Sequence, residues 1–151
     1  MHLKIPPALV AILMLILMAT LSRLLPQFSY SLPYKSLLGI VVAAVGFGVA
    51  ASGVASFRRL QTTVNPTRPG TASSLVVDGI YRWSRNPMYL GILLFLIACG
   101  IYLENVLGLL LIPPMFVIYM NMYQIKPEEE ALALIFGDEF VRYRASARRW
   151  L

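Results

Sequence analysis

The fold is decided by residues 86–125, NPMYLGILLFLIACGIYLENVLGLLLIPPMFVIYMNMYQI, which hold two apolar runs joined by one polar pair. Each run, 86–103 and 105–125, is close to the roughly 20 residues that an α-helix needs to cross a bilayer. Glu104 and Asn105 between them predict a tight turn. The stretch therefore predicts a transmembrane helical hairpin whose two open ends lie side by side.

The composition of the whole chain is typical of a membrane protein. Its 151 residues are 58% hydrophobic and 13% charged, whereas a soluble domain carries about 25% charged residues. Two further uncharged runs precede the hairpin. The sequence thus predicts an all-α integral membrane bundle with four transmembrane helices in a single domain, residues 1–151. The helices are expected at about 5–24, 36–57, 87–103 and 105–125.

From Pro127 onward the pattern becomes amphipathic. Apolar side chains recur at helical spacing and charged side chains fall mostly between them, which predicts an interfacial helix over about 127–146. Gly137 is expected to bend that helix. The following Arg148–Trp150 combines guanidinium groups with an indole, so we expect it to anchor in lipid headgroups.

Three other features of the apolar runs have two interpretations each. Residues 5–22 also resemble a cleaved signal peptide, although no soluble segment follows. Gly46 and Ala50 have the small-xxx-small spacing that lets membrane helices approach closely, and we prefer this to a nucleotide-loop interpretation of Gly46-Phe-Gly48. Pro113-Pro114 should break or bend the fourth helix and could open a lateral gap there.

The distribution of basic residues predicts the orientation. With four spans and the N-terminus inside, eleven of the thirteen lysines and arginines are cytoplasmic, as the positive-inside rule requires. These are Lys4, Arg58, Arg59, Arg68, Arg82, Arg85, Lys126, Arg142, Arg144, Arg148 and Arg149. We therefore expect a multi-pass protein of the cytoplasmic membrane with both termini in the cytoplasm. The connection 58–84 is long for so small a protein, which favours a functional role.

The numbers of cysteine and histidine residues exclude several classes of site. One cysteine, Cys99, allows no intrachain disulfide, and the one histidine is His2, so we expect no metal centre built on these ligands. The net charge of +6 follows from membrane topology, so we expect a lipid bilayer as partner and no nucleic acid. The sequence leaves the oligomeric state open.

Two polar clusters fall at the open end of the hairpin. One is 81–89, before the third helix, and the other is 128–130, three consecutive glutamates after the fourth. The glutamates also suit the positive end of a helix dipole, and the arginines also suit the topology. An Arg–Glu meeting at this end would be either a structural ion pair or a cradle for a zwitterionic small molecule.

The same clusters carry a resemblance. LVxxGxYR from Leu75 to Arg82, followed by SRNPMYLG from Ser84 to Gly91, resembles the signature of the isoprenylcysteine carboxyl methyltransferase and phospholipid methyltransferase superfamily, commonly Arg-His-Pro-x-Tyr-x-Gly. The segment 127–143, ending further on in Arg149-Trp150, is similar to the second motif of these membrane-embedded enzymes.

The resemblance implies S-adenosylmethionine as methyl donor and a lipophilic acceptor, either an isoprenylcysteine-type carboxylate, a lipid amine or a small thiol. It implies Arg85 and Glu129 as catalytic residues. The cofactor-binding residues that it implies are Leu75, Gly79, Tyr81, Arg85, Asn86, Pro87, Tyr89, Gly91, Glu128 and Glu129. Asn86 departs from the common histidine, and an amide cannot titrate near neutral pH. At this position the resemblance therefore supports cofactor binding better than proton transfer.

Two alternatives stay open. Membrane reductases of related helical architecture bind NADPH, whose 2′-phosphate would need extra basic residues such as Arg58, Arg59 and Arg68. The chain could also be a non-catalytic membrane subunit. Binding of S-adenosylmethionine, of NADPH or of neither separates the three.

Overall fold

The computed structural model describes residues 5–59 and 74–151, and within these ranges the ordered elements are helices plus two isolated bridges. The prediction of an all-α chain is confirmed for this part. Most of the predicted 58–84 connection lies outside the described residues, as do Lys4 and Arg68.

The main helices are α1 (Pro7–Leu24), α2 (Lys35–Arg59), α3 (Pro87–Leu103), α4 (Val106–Met120), α5 (Lys126–Phe136) and α6 (Asp138–Ser146). A π-helical turn, Asn121–Ile125, joins α4 to α5, and 3₁₀ turns cover Pro26–Phe28 and Gly79–Arg82. Three of the described helical runs are long and apolar enough to cross a membrane: Pro7–Leu24, Lys35–Arg59 and Val106–Phe136. The helix α3 is apolar but shorter, with 17 residues.

The helix α3 is central because it packs against α1, α2 and α4. Its contact with α2 is close: a Cβ on Gly91 would lie 2.6 Å from the Gly46 carbonyl oxygen and 2.7 Å from the Ala50 Cβ. The small residues of α2 thus let two helix backbones approach, as their spacing predicts. On the other side of α3, Leu96, Phe116 and neighbouring side chains form the core shared with α1 and α4.

Contacts around Glu104 close one end of the bundle. Its carboxylate pairs with Lys35 and accepts a hydrogen bond from the Leu32 backbone N–H at 2.9 Å. Asn105 caps α4 through its side-chain oxygen and donates to the Leu25 carbonyl. These bonds tie the α1–α2 connection to the α3–α4 turn, so the polar clusters at the open end of the hairpin lie at the other end of the bundle.

The boundary predicted between 125 and 127 coincides with the change from the π turn to α5, and the helical run has no break there. The chain stays helical from Val106 to Phe136, and α4 continues unbroken through Pro113 and Pro114. A proline ring clashes with the carbonyl four residues earlier. The π turn before Pro127 changes that bonding, since the Lys126 N–H donates to the Asn121 carbonyl five residues back.

The single helix predicted over 127–146 is instead two helices, α5 and α6. They are separated at Gly137, whose φ of +50° favours glycine. The expected interruption at this residue is therefore a complete helix end.

Candidate functional site

The open end of the α3–α4 hairpin brings the two polar clusters into contact. The Arg85 Nη2 donates to Glu129 Oε1 at 2.8 Å, and Arg149 Nη2 donates to Glu129 Oε2 at 2.6 Å. The side chains of Arg85 and Glu129 are only 10% and 12% exposed. Two guanidinium groups thus hold one nearly buried carboxylate and stabilise its ionised form.

Arg85 makes further bonds to the segment that follows α6. Its Nη1 donates to the carbonyls of Arg144 and Ala147, and its backbone N–H donates to the Arg148 carbonyl at 2.9 Å. Its Nε is buried and has no hydrogen-bond partner in the structure. A buried donor without a partner is costly, so this N–H can stabilise an acceptor supplied by a ligand.

Asn86, at the position where the family commonly has histidine, holds a backbone carbonyl. Its Nδ2 donates to the Arg149 carbonyl at 2.9 Å, while its own N–H donates to the hydroxyl of Ser84. Ser84 is fully buried and pairs with Arg148 in an isolated parallel bridge. The amide therefore fastens α3 to residues 148–149 and needs no titratable proton to do so.

Tyr89 and Glu128 form the second contact between the clusters. The buried Tyr89 hydroxyl donates to Glu128 Oε1 at 2.8 Å. Pro87 in the first turn of α3 begins the helix that presents Tyr89. One turn of a π-helix contains more residues than one turn of an α-helix. The π turn at 121–125 therefore rotates the side chains that follow it, Glu128 and Glu129, around the helix axis.

An apolar cluster lies beside these contacts. Tyr81 packs with its ring edge-on to Phe57 at 5.5 Å, and its carbonyl accepts a hydrogen bond from the Tyr143 hydroxyl at 2.9 Å. Burial raises the pKa of both phenols, so Tyr81 and Tyr143 are neutral at physiological pH. Leu75 packs on the same cluster. Gly79, with φ +65°, begins the 3₁₀ turn that carries Tyr81.

The structure therefore brings together five of the predicted residues, Arg85, Asn86, Tyr89, Glu128 and Glu129. Leu75, Gly79 and Tyr81 lie in or beside the adjoining apolar cluster. Pro87 and Gly91 lie at the α2–α3 contact, where Pro87 faces Gly53. The close approach that Gly91 permits is to the α2 backbone.

The sequence pattern of the phospholipid methyltransferase family matches residues 34–139, which is more than half of the chain and includes both polar clusters. The chain belongs to the phospholipid methyltransferase family. Over 120 residues, 78% of this chain, it is 29% identical to protein-S-isoprenylcysteine O-methyltransferase of Saccharomyces cerevisiae. That alignment covers 49% of the yeast enzyme, so this chain spans about half of it.

A second relative is an uncharacterized protein of Haemophilus influenzae, 44% identical over 64 residues, which cover 42% of this chain and the whole of that protein. The family match and the yeast relative together indicate a membrane methyltransferase of the isoprenylcysteine and phospholipid type.

Three contacts of the residues that follow α6 were missed from the sequence. Arg149 pairs with Glu129, and the Trp150 indole Nε1 donates to Asn121 Oδ1 at 3.1 Å while its ring packs against the α1–α3–α4 core. The expectation that Arg149 and Trp150 anchor in lipid headgroups is therefore wrong. An available signal was Asn121 itself, which with Gln124 is one of two amides near the end of the run 105–125.

The charges of the candidate site balance. Arg85 and Arg149 supply two positive charges, and the hydrogen bond to Glu129 raises the pKa of Arg149, so it stays charged. Glu128 and Glu129 supply two negative charges when ionised. Within residues 5–59 and 74–151, no group of three or more His, Cys, Asp or Glu side chains could hold a metal ion. The site therefore suits a zwitterion better than a ligand of large net charge.

Proposed function

We propose that this chain is an S-adenosylmethionine-dependent methyltransferase that acts on a lipophilic acceptor at the cytoplasmic face of the membrane. The observation that carries the proposal is the contact between Arg85 and Glu129, which joins the two family motifs into one nearly buried cluster. Family membership makes methyl transfer the reaction class, and the balanced charges suit the ammonium and carboxylate groups of the donor's amino-acid part.

The proposed membrane arrangement has four spans, with α5 and α6 at the cytoplasmic interface. Three runs meet the length and hydropathy of a span, and α3, the shorter apolar helix, is packed among α1, α2 and α4. A 17-residue helix rises about 25 Å, which is close to the thickness of the hydrocarbon core. The basic residues of α5, α6 and the site then lie on one side, as the positive-inside rule requires.

The donor site fits the residues at the open end of the bundle. The unpartnered Arg85 Nε suits a carboxylate oxygen, the glutamates suit an ammonium group, and the rings of Tyr81 and Tyr89 suit a sulfonium through cation–π attraction. When bound, S-adenosylmethionine supplies a methyl group on that sulfonium. The task of the chain is to hold donor and acceptor in line and to exclude water.

The two glutamates are assigned different roles. Glu129 neutralises two guanidinium groups, so protonating it would leave Arg85 and Arg149 without their shared counter-charge. We therefore assign Glu129 to holding the site in its geometry, together with Arg85. Glu128, in contact with the Tyr89 hydroxyl, is the candidate base for an acceptor that must lose a proton.

The acceptor proposed first is an isoprenylcysteine-type carboxylate, because the yeast relative is named for that substrate. Lipid amines and small thiols are the other acceptor classes. The cavity of about 350 Å³ between α1, α2 and α3, lined by Leu15, Phe95 and other mainly apolar residues, lies towards the Glu104 end of the bundle and is not assigned to the acceptor. The unbroken α4 gives no support to a lateral gap at Pro113 and Pro114.

The proposal is tested by calorimetry on the purified protein in lipid nanodiscs, titrated separately with S-adenosylmethionine and with NADPH. We expect micromolar binding of S-adenosylmethionine only, and transfer of labelled methyl from it to a prenylated cysteine. Binding of NADPH alone would support a reductase, and binding of neither would support a non-catalytic subunit.

A further inference from the structure

Residues 147–150, which we call the strap, follow α6 and lie beside the first turn of α3. The helix α6 ends at Ser146, and Ala147 has φ −119° and ψ 143°. The carbonyls of Ala147, Arg148 and Arg149 each accept a hydrogen bond from Arg85 or Asn86. The strap therefore provides the backbone acceptors that fix both residues.

The strap is fastened at its far end by Trp150. The indole ring packs against the α1–α3–α4 core, and its Nε1 donates to Asn121 Oδ1 at 3.1 Å. Asn121 begins the π turn on the continuous helix that also carries Glu128 and Glu129. This hydrogen bond thus connects the far end of the strap to the helix that supplies the glutamates, and the Arg149 guanidinium connects the strap to Glu129 on the same helix.

We propose that the Trp150–Asn121 hydrogen bond pins the strap, and that Trp150 and Asn121 are positioning residues for the donor site. The proposal rests on the proposed function and extends it, since the strap lies beyond the residues 34–139 that match the family. Neither residue needs to touch the donor. Releasing the pin leaves the Arg149–Glu129 pair as the remaining side-chain bond from the strap to that helix, and it loosens the Arg148 and Arg149 carbonyls that orient Arg85 and Asn86.

The test uses Trp150→Phe, which keeps an aromatic ring and removes the N–H, Asn121→Leu, which removes the acceptor, and the double variant. Trp83→Phe is the matched control, because this second tryptophan is 73% exposed. Two quantities are measured in nanodiscs: hydrogen–deuterium exchange of the Arg85 amide, which donates to Arg148, and the Kd for S-adenosylmethionine.

Each single variant is expected to speed exchange of the Arg85 amide and to raise the donor Kd, both about three- to tenfold, the range of an ordinary net hydrogen bond. The double variant should be no worse than the poorer single variant, because both partners of one bond are then absent. The kcat at saturating donor should stay within about twofold of that of the unmodified protein. The variants disorder Arg85 and Asn86 in the free protein, and bound donor restores their orientation.

An unchanged exchange rate of the Arg85 amide in both single variants would show that the Trp150–Asn121 hydrogen bond does not hold the strap. Faster exchange with unchanged donor affinity would overturn the positioning role, as would equal effects of Trp83→Phe. If the unmodified protein binds no S-adenosylmethionine, the proposed function fails and the positioning role with it. The exchange measurement then decides separately whether the pin exists.

Discussion

The Arg85 guanidinium lies 2.8 Å from the Glu129 carboxylate although 44 residues separate them in the chain. Both side chains are about nine-tenths buried, and Arg149 completes the cluster on the other carboxylate oxygen. Because the α3–α4 hairpin turns at Glu104 and Asn105, the start of α3 and the start of α5 meet at one end. This meeting converts two separate sequence motifs into one site.

Arg85→Lys tests the planar fork of the arginine. The guanidinium reaches the Arg144 and Ala147 carbonyls with one nitrogen and Glu129 with another, whereas an ammonium is a single point charge. We expect a loss of about 2–4 kcal/mol in the free energy of unfolding, close to that of breaking a buried pair.

The matched control for this variant is Arg82→Lys. Arg82 pairs with Asp78 at the surface, where both side chains are more than 70% exposed. Its change should stay within about 0.5 kcal/mol, measured by reversible denaturation in mixed micelles. An equal loss in the free energy of unfolding for Arg85→Lys and Arg82→Lys would show that the planar guanidinium of Arg85 has no special role.

Much of the helical structure could be predicted from the sequence because the length of an apolar run is a local property. The small residues of α2 predicted a close approach of two helices, which the structure shows between α2 and α3, and the hairpin predicted that 81–89 would face the glutamates. What the sequence did not predict was the continuous helical run across Pro127. A π turn depends on the bonding of the preceding residues, and a proline alone does not reveal it.

The interpretation of Arg149 and Trp150 failed for a different reason. A guanidinium followed by an indole suits lipid headgroups, and it suits an internal glutamate and asparagine equally well. The residue types alone do not distinguish these two environments. The buried polar partners, Asn121 and Glu129, decide between them. They lie on another helix, so only the tertiary arrangement brings them within reach.

Gly91→Ala tests the α2–α3 contact. The added Cβ would lie 2.6 Å from the Gly46 carbonyl oxygen, so the helix backbones must separate. Overpacking of this kind is expected to lower the free energy of unfolding by about 1–3 kcal/mol or more.

Gly48→Ala is the matched control for the helix contact, since a Cβ at Gly48 would have nothing within 4 Å. It should be neutral or should stabilise by up to about 1 kcal/mol, because alanine is the better helix former. A Gly91→Ala protein as stable as Gly48→Ala would contradict the packing described for α2 and α3.

Stability should depend on pH through Glu104 at the opposite end of the bundle. The Leu32 N–H and the Lys35 ammonium hold the pKa of Glu104 below its ordinary value near 4.5. A carboxyl whose pKa is lowered on folding stabilises the protein above its unfolded pKa, and this contribution is lost as pH falls through the folded pKa.

The corresponding measurement is the thermal midpoint of the unmodified protein and of Glu104→Gln between pH 7 and pH 3. The difference between them should be constant near neutral pH and should shrink below about pH 4.5. A difference that grows on acidification would have the wrong sign and would contradict the assignment.

Glu128→Gln separates binding from proton transfer. A carboxylate acceptor is already ionised, so turnover at saturating donor should stay within about threefold of the unmodified rate. An amine acceptor that must lose a proton should react about 10²–10⁴-fold more slowly, the usual contribution of a general base. Loss of that size with a carboxylate acceptor would show that Glu128 does more than accept a proton.

The most direct test of the central claim is calorimetric titration of S-adenosylmethionine into Glu129→Gln and into Glu130→Gln, which carry the same change at adjacent positions. Glu129 is held by Arg85 and Arg149, whereas Glu130 is exposed. The site described here predicts that Glu129→Gln weakens binding at least about tenfold, the loss of one charge-assisted contact, while Glu130→Gln binds as the unmodified protein does. Equal affinity in the two variants would contradict a donor site built on Glu129.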